Sequence, residues 1–264
     1  MSSVLFDSEA GIATLTLNLP SKLNPIALEL QRELGEALAR VRADSAVRAV
    51  VLTGAGKAFC VGADLSAMRE PADGQSLGDQ TAEWMQAISN PLIEQLRTLP
   101  VPTVCAVNGP AAGAGVGLAL ACDIVVAARS AYFYLPFLPK LGIVPDLGCT
   151  WFVPRRVGPA RAMGMALLDE RLAADTAAQW GLIWSAVDDA LLQHEALRIA
   201  ERLSRLPAHA VEEARRAFEA AERHTLPEQL HYESERQREL LGRPSFAEGV
   251  AAFLQKRAPV FPPR

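Results

Sequence analysis

The sequence is poor in the residues that most directly announce a chemistry. Four histidines occur in 264 residues, and all of them (His194, His209, His224 and His231) lie in the charged C-terminal third, away from the glycine-rich segments. That placement argues against histidine catalysis and against a metal centre, since both need imidazoles or thiolates brought together. The cysteines Cys60, Cys105, Cys122 and Cys149 form no CxxC pair and sit in apolar or glycine-rich contexts. They read as free thiols of a reduced, cytoplasmic protein. No run of one charge occurs: 26 basic and 30 acidic residues leave a formal charge of −4, so there is no basic tract to hold nucleic acid. A few locally placed Lys or Arg groups would still suffice for a phosphate. The longest apolar stretches, Ala111–Ala121 and Ile124–Ala128, are interrupted by glycines and an aspartate and fall short of the roughly 20 residues a membrane span requires. The opening MSSVLFDSEAG has no basic region followed by a long apolar run, so no secretory signal is expected there.

What is present is an ordinary globular composition, with half the residues apolar and 21% charged, in a chain long enough for one large domain or a core with a small attachment. The first half reads as strands alternating with helices. Val4–Phe6 and Ile12–Leu17 suggest an opening hairpin turned at Glu9-Ala10-Gly11. A helical pattern begins at Pro25 and runs through Leu28, Leu30, Leu34, Leu38 and Val41. RAVVLTG, VPTVCAVNG and DIVVAAR read as short buried strands, with helices between about Asp79 and Leu99 and over AGAGVGLALACD. Such units favour a parallel sheet with crossover helices. From Asp146 onward the pattern reads as helical throughout, with breaks at Pro207, Pro227 and Pro244. Several of these helices carry apolar faces too large for free appendages, which predicts oligomerisation.

Three segments are placed to carry chemistry. LTGAGKAFCVGADL (52–65) and NGPAAGAGVGLAL (108–120) each follow a strand. Neither fits a nucleotide fingerprint: GAGKAF lacks the rest of a phosphate loop, and GAGVG is not GxGxxG. Each reads either as tight helix packing through Ala and Gly, or as a loop whose amides approach a ligand. Two such loops after consecutive strands favour the second reading, because their N–H groups can converge on one oxygen, as an enolate or tetrahedral oxyanion requires. The third segment, LGIVPDLGCTWFVPRRVG (141–158), carries Asp146 in an otherwise apolar stretch before a predicted helix. Asp146 is either an N-cap or an acid/base tuned by partial burial. Phe133, Tyr134, Leu135, Phe137, Trp151 and Phe152 read as core or as lining of an apolar pocket; Trp84 and Met85 are weaker pocket candidates, and Trp180 and Trp184 read as structural.

Together with NLPSKLNPI, PTVCAVNGPAAGAGVGLALACDIVVAA, AADTAAQWGLIWSAVDD and EGVAAFLQKRAPVF, these segments resemble the crotonase (enoyl-CoA hydratase/isomerase) superfamily from the first strand almost to the C-terminus. The resemblance implies an α/β fold, a spiral of ββα units over residues 1–200, followed by a C-terminal helical trimerisation region over 201–264. It implies an acyl-CoA substrate, coenzyme A entering only as part of that substrate with no permanently bound cofactor, and a homotrimer or dimer of trimers. Carried over residue by residue, the backbone N–H groups of Ala63 and Ala114 would form the oxyanion hole. Phe59, Cys60, Gly62, Asp64 and Leu65 would lie along the coenzyme, and Lys22 would meet its phosphate or ribose, or else serve as a solubilising lysine. Trp84, Phe137 and Trp151 would line the acyl pocket.

The departures from the pattern narrow the reaction. The two glutamates with which a typical hydratase activates water are absent. One place is Gly117; the other falls at or next to Phe137, in YLPFLPKLG, a segment one residue longer than the common pattern with no acidic residue between Arg129 and Asp146. Asp146 falls where some isomerases and the chloroaromatic acyl-CoA dehalogenases carry an essential aspartate. The likeness is strongest to isomerases of ring-1,2-epoxyphenylacetyl-CoA, clearest in VPDLGCTWFVPRRVGPARAMGMALL. That resemblance implies an acyl-CoA isomerase with Asp146 as proton shuttle and Cys149 as packing. The alternatives are an enoyl-CoA hydratase-like lyase, a dehalogenase (which would want a histidine between Asp79 and Leu99), and a non-catalytic CoA-binding or RNA-binding relative.

Overall fold

The computed structural model describes residues 2–65, 68 and 74–262. A hairpin opens the chain: β1 (Val4–Glu9) and β2 (Ile12–Leu17) pair antiparallel through a turn in which Ala10 and Gly11 take positive φ. Strands β3 (Ala49–Gly54), β4 (Thr103–Val107), β6 (Ile124–Ala128) and β9 (Ser185–Val187) then add in parallel, so the main sheet runs β1-β2-β3-β4-β6-β9. Every residue of β3 and β4 is buried. That explains why they read as continuous apolar runs and not as alternating ones.

The spiral emerges from a second, smaller sheet of β5 (Ala111–Ala112), β7 (Tyr132–Tyr134) and β8 (Leu172–Ala173). Strand β4 in the large sheet is followed by β5 in the small one and then by α4 (Ala114–Leu120); β6 is followed in the same way by β7. The turn after β3 joins the small sheet through a single parallel bridge between Cys60 and Ala111. This is the repeated ββα architecture that the resemblance implies.

Helix α1 (Leu28–Ala43) covers the sheet with Leu30, Leu34, Ala37, Leu38 and Val41, three or four residues apart on one stripe. The helix expected between Asp79 and Leu99 is one rod in three parts: α2 (Leu77–Trp84), a π-helical turn over Met85–Ser89, and α3 (Asn90–Arg97). Pro91 enters at the start of α3, and the wide turn before it falls where proline has no N–H to give to a regular ladder. A second π-helical turn spans Phe137–Leu141. A π turn holds one more residue than an α turn, which would accommodate the longer YLPFLPKLG segment that the resemblance implies.

The expectation that everything after Asp146 is helical needs correction. Between α5 (Cys149–Val157), α6 (Pro159–Leu167), α7 (Ala174–Trp180) and α8 (Leu192–Ser204) lie strands β8 and β9, and β9 completes the main sheet. Two- and three-residue strands are too short to show a period of two, so neighbours rather than pattern define them. Trp184, expected to be structural, is 69% exposed.

Helices α9 (Ala210–Ala221), α10 (Leu226–Leu240) and α11 (Pro244–Leu254) close the chain. Helix α9 is anchored by buried Arg215, which donates from Nε and Nη2 to both oxygens of Asp123 (2.7 and 2.6 Å) and from Nη1 to the Leu99 carbonyl (2.5 Å). Asp123 also accepts from the Thr103 amide at 2.8 Å, tying α9 to the strands β4 and β6. Replacing Arg215 with alanine leaves the half-buried Asp123 carboxylate with only the longer contact to Arg97, at 3.7 Å. We expect Arg215→Ala to lose about 3 kcal/mol of stability in urea denaturation, and Asp123→Asn to lose less because the Thr103 contacts remain.

Candidate active site

The loop after β3 and the loop after β4 meet backbone to backbone. The Ala112 amide donates to the Cys60 carbonyl at 2.9 Å, and the Phe59 and Cys60 amides donate to the Pro110 carbonyl at 3.2 Å. No side chain fits between them: a Cβ on Gly115 would stand 2.2 Å from the Cys60 carbonyl oxygen. Two asparagine amides, buried Asn24 and partly exposed Asn108, lock the first loop from outside. Asn24 accepts from the Leu19 amide and donates to the Ala55 and Ala58 carbonyls, each within 2.9 Å; Asn108 accepts from the Gly54 amide and donates to the Gly56 carbonyl.

This seam places Ala63 and Ala114 side by side. Gly62, at φ +87°, turns the first loop so close to the second that a Cβ there would stand 2.9 Å from the Ala112 carbonyl oxygen and 3.3 Å from the Ala114 nitrogen. Ala114 is the first residue of α4, whose N–H has no acceptor inside the helix. The Ala63 N–H makes no backbone hydrogen bond among the described residues. Both alanines line a cavity of about 400 Å³ together with Ile26, Gln31, Asp64, Trp84, Ser89, Asp146 and Leu147.

Asp146 lies across that cavity. Its Oδ1 is buried and has no hydrogen-bond partner among the described residues. Burial pushes its pKa up to about 6. It does not cap α5: Gly148 holds the N-cap position, and only the Asp146 carbonyl oxygen accepts from the Cys149 amide (2.9 Å). The N-cap alternative is thereby excluded. Leu147, at φ +45°, then turns the chain so that its carbonyl oxygen covers Gly117. A Cβ on Gly117 would stand 2.1 Å from that oxygen. The place where a hydratase-like glutamate would stand is filled by backbone.

The other expected site residues divide into those that reach the cavity and those that do not. Trp84 and Met85 line it from the α2 rod. Phe137 is buried and its ring packs against Gly113, behind the second loop rather than in the cavity wall. Trp151 faces a neighbouring cavity of about 580 Å³, with the Arg155 guanidinium 4.1 Å above its ring, and Leu147 is on the wall common to both spaces. Phe59 and Cys60 are fully buried, so their side chains do not reach a ligand's surface; burial pushes the Cys60 thiol up to about 12. Leu65 is exposed and is not on the cavity wall, and exposed Lys22 stands 3.6 Å from Asp64. Cys149 is buried, its thiol held protonated by burial and the nearby Asp146, and it donates to the Gly113 carbonyl at 3.7 Å, as expected of packing. Among the described residues no group of three or more His, Cys, Asp or Glu is arranged to hold a metal ion, and no helix is long and apolar enough to cross a membrane.

Gln31, Thr81, Ser89 and Leu147 line the cavity without having been singled out from the sequence. Gln31 carried a faint signal, a polar residue beside the apolar stripe of α1. Ser89 carried none, because its direction depends on the π turn.

Two glycine-bearing loops and a partly buried carboxyl thus line one cavity, the arrangement that a site for a negatively charged acyl oxygen would need. Residues 7–264 match the family described as enoyl-CoA hydratase/isomerase, and the chain belongs to that family. Among its relatives, it is 45% identical over 262 residues to the 1,2-epoxyphenylacetyl-CoA isomerase of Escherichia coli K12, covering 99% of this chain and 98% of that one. It is 42% identical over 259 residues to a probable enoyl-CoA hydratase of Rhodobacter capsulatus, covering 98% and 97%. The crystal structure of a putative enoyl-CoA hydratase/isomerase from Mycobacterium abscessus superposes with a TM-score of 0.90 at 34% identity, covering 99% of this chain and all of that one.

The filled space above Gly117 makes a direct prediction. Gly117→Ala should lose about 2–3 kcal/mol in chemical denaturation by overpacking. Gly117→Glu should destabilise further and bring no hydration of crotonyl-CoA. A stable, hydrating Gly117→Glu protein would show that the Leu147 turn moves aside.

Proposed function

We propose that this chain is an acyl-CoA isomerase acting on 1,2-epoxyphenylacetyl-CoA or a close analogue, with double-bond migration between the 3- and 2-positions of enoyl-CoAs as its elementary chemistry. The observation that carries the reading is the Asp146 carboxyl, its Oδ1 without a partner among the described residues and its pKa raised by burial to about 6, in one cavity with Ala63 and Ala114. A base near neutrality removes a proton from the carbon beside the thioester carbonyl. The charge spreads onto the thioester oxygen, where the two N–H groups receive it, and the resulting acid returns the proton at the far end of the dienolate. For the epoxide, the same polarised thioester and the same shuttle would support ring opening and expansion.

The hydratase reading fares worse because it needs two carboxylates around a water, and the Gly117 position is closed. The dehalogenase reading lacks a histidine between Asp79 and Leu99. Asp64 on the cavity wall, Lys22 beside it and the exposed Leu65 next in sequence suit the coenzyme's adenine and phosphates. The exposed apolar side chains Phe218, Leu226, Leu230, Phe253 and Leu254 on the C-terminal helices suit burial in a homotrimer or dimer of trimers, with residues 201–264 as the assembling region. The free cysteines suit a cytoplasmic setting.

The test pairs wild type with Asp146→Asn on trans-3-hexenoyl-CoA and on enzymatically generated 1,2-epoxyphenylacetyl-CoA. We expect turnover by wild type and a loss of about 100-fold or more in the variant. Hydration of crotonyl-CoA at an ordinary rate, with neither substrate isomerised, would sink the assignment.

The pH dependence follows from the same group. Asp146 is active as the carboxylate, so kcat/KM should rise with pH and level off above about 6. Its folded pKa lies above the unfolded 3.8, so stability is fullest below 3.8 and is lost as pH rises through about 6. Asp146→Asn should therefore be more stable than wild type at pH 8, with the difference shrinking toward pH 4 in thermal melts.

A further inference from the structure

The acyl cavity is not uniformly apolar, and its polar groups other than Asp146 have no role in the proton shuttle. Gln31 projects from the first turns of α1 and is 5% exposed. Its Nε2 donates to the Ile26 carbonyl at 3.4 Å, while its Oε1 is buried with no partner among the described residues. The amide cannot be turned round to relieve this, because Oε1 would then face the Ile26 carbonyl oxygen. Ser89 is also 5% exposed and lines the same cavity from the π turn between α2 and α3; its hydroxyl makes no protein hydrogen bond among the described residues and is met by solvent, unlike the buried Gln31 Oε1. An unmet acceptor and a hydroxyl met only by solvent thus share the space that holds Asp146. A buried polar atom without a partner costs free energy in the empty protein. That cost is recovered when a ligand supplies the missing bond.

We propose that Gln31 and Ser89 form a polar subsite that selects acyl groups carrying an oxygen substituent, a hydroxyl or a cyclic ether, over plain hydrocarbon acyl groups. Gln31 Oε1 accepts from a ligand hydroxyl; the Ser89 hydroxyl donates to an ether or epoxide oxygen. A hydrocarbon chain entering the same cavity leaves both groups desolvated and unpaired, which makes discrimination sharper than attraction alone would. The proposal deepens the isomerase reading and rests on it for the identity of the cavity as the acyl site.

The experiment reads binding of unreactive ligands, so it stands apart from turnover. Calorimetric affinities are measured for phenylacetyl-CoA against the three ring-hydroxylated phenylacetyl-CoA isomers, and for cyclohexylacetyl-CoA against tetrahydropyranylacetyl-CoA. We expect at least one hydroxylated isomer, and the cyclic ether, to bind wild type about 10-fold tighter than its hydrocarbon partner. Gln31→Leu should abolish the hydroxyl preference and Ser89→Ala the ether preference, with hydrocarbon affinities unchanged or improved. Gln31→Met, closer in shape, guards against a packing defect in the leucine variant. Equal affinities within each pair, or preferences that survive the substitutions, overturn the subsite. Intact preferences in a protein that isomerises nothing would instead overturn the isomerase reading and leave the subsite standing.

Discussion

The site depends on one contact, the backbone seam between the loops after β3 and β4. Hydrogen bonds from Phe59 and Cys60 to Pro110 and from Ala112 to Cys60 bring two main chains together with no side chain between them. Ala63 and Ala114 inherit their positions from that seam. If their N–H groups serve as the proposed oxyanion hole, the fold sets their orientation and little reorganisation is needed when charge develops. The buried Asn24 amide satisfies the Ala55 and Ala58 carbonyls, which the loop would otherwise leave unpaired, and the partly exposed Asn108 holds the Gly56 carbonyl.

Opposite the seam, the left-handed turn at Leu147 decides which chemistry the scaffold can host. Its carbonyl oxygen occupies the space over Gly117, and the same turn presents Asp146 to the cavity without a capping bond. One backbone feature therefore removes the room for a hydratase carboxylate and supplies a lone, half-buried one. A single carboxyl near pKa 6 can take and return a proton at neutral pH, which suits migration of a double bond better than addition of water.

The segment leading to Asp146 is braced from outside. The π turn over Phe137–Leu141 carries Lys140, which pairs with Asp169 at 2.5 Å, and Asp169 also accepts from the Tyr134 hydroxyl. These two partners hold the Asp169 carboxyl below its usual range. The brace joins β7 and the π turn to the residues after α6.

Much of this was legible in the sequence. The buried strands, the two alanine- and glycine-bearing loops and Asp146 stand out because they are local: a run of apolar residues, a cluster of small ones, an acid in apolar surroundings. The family resemblance supplied the pairing of the loops. The resemblance also placed Phe137 and Trp151 in the acyl pocket, whereas the former packs behind Gly113 and the latter faces the neighbouring cavity. Strands β8 and β9 exist only through their neighbours, being too short to carry a period. Gln31 and Ser89 point into the cavity because of the crossing of α1 with a π-interrupted rod, and no pattern in either helix records that crossing. The sequence by itself determined which residues would be buried and which backbone would be free of side chains, because size and polarity are properties of single residues. Only the tertiary structure decided which of the buried polar atoms would be left unpaired around one space, because that depends on distances between segments far apart in the chain.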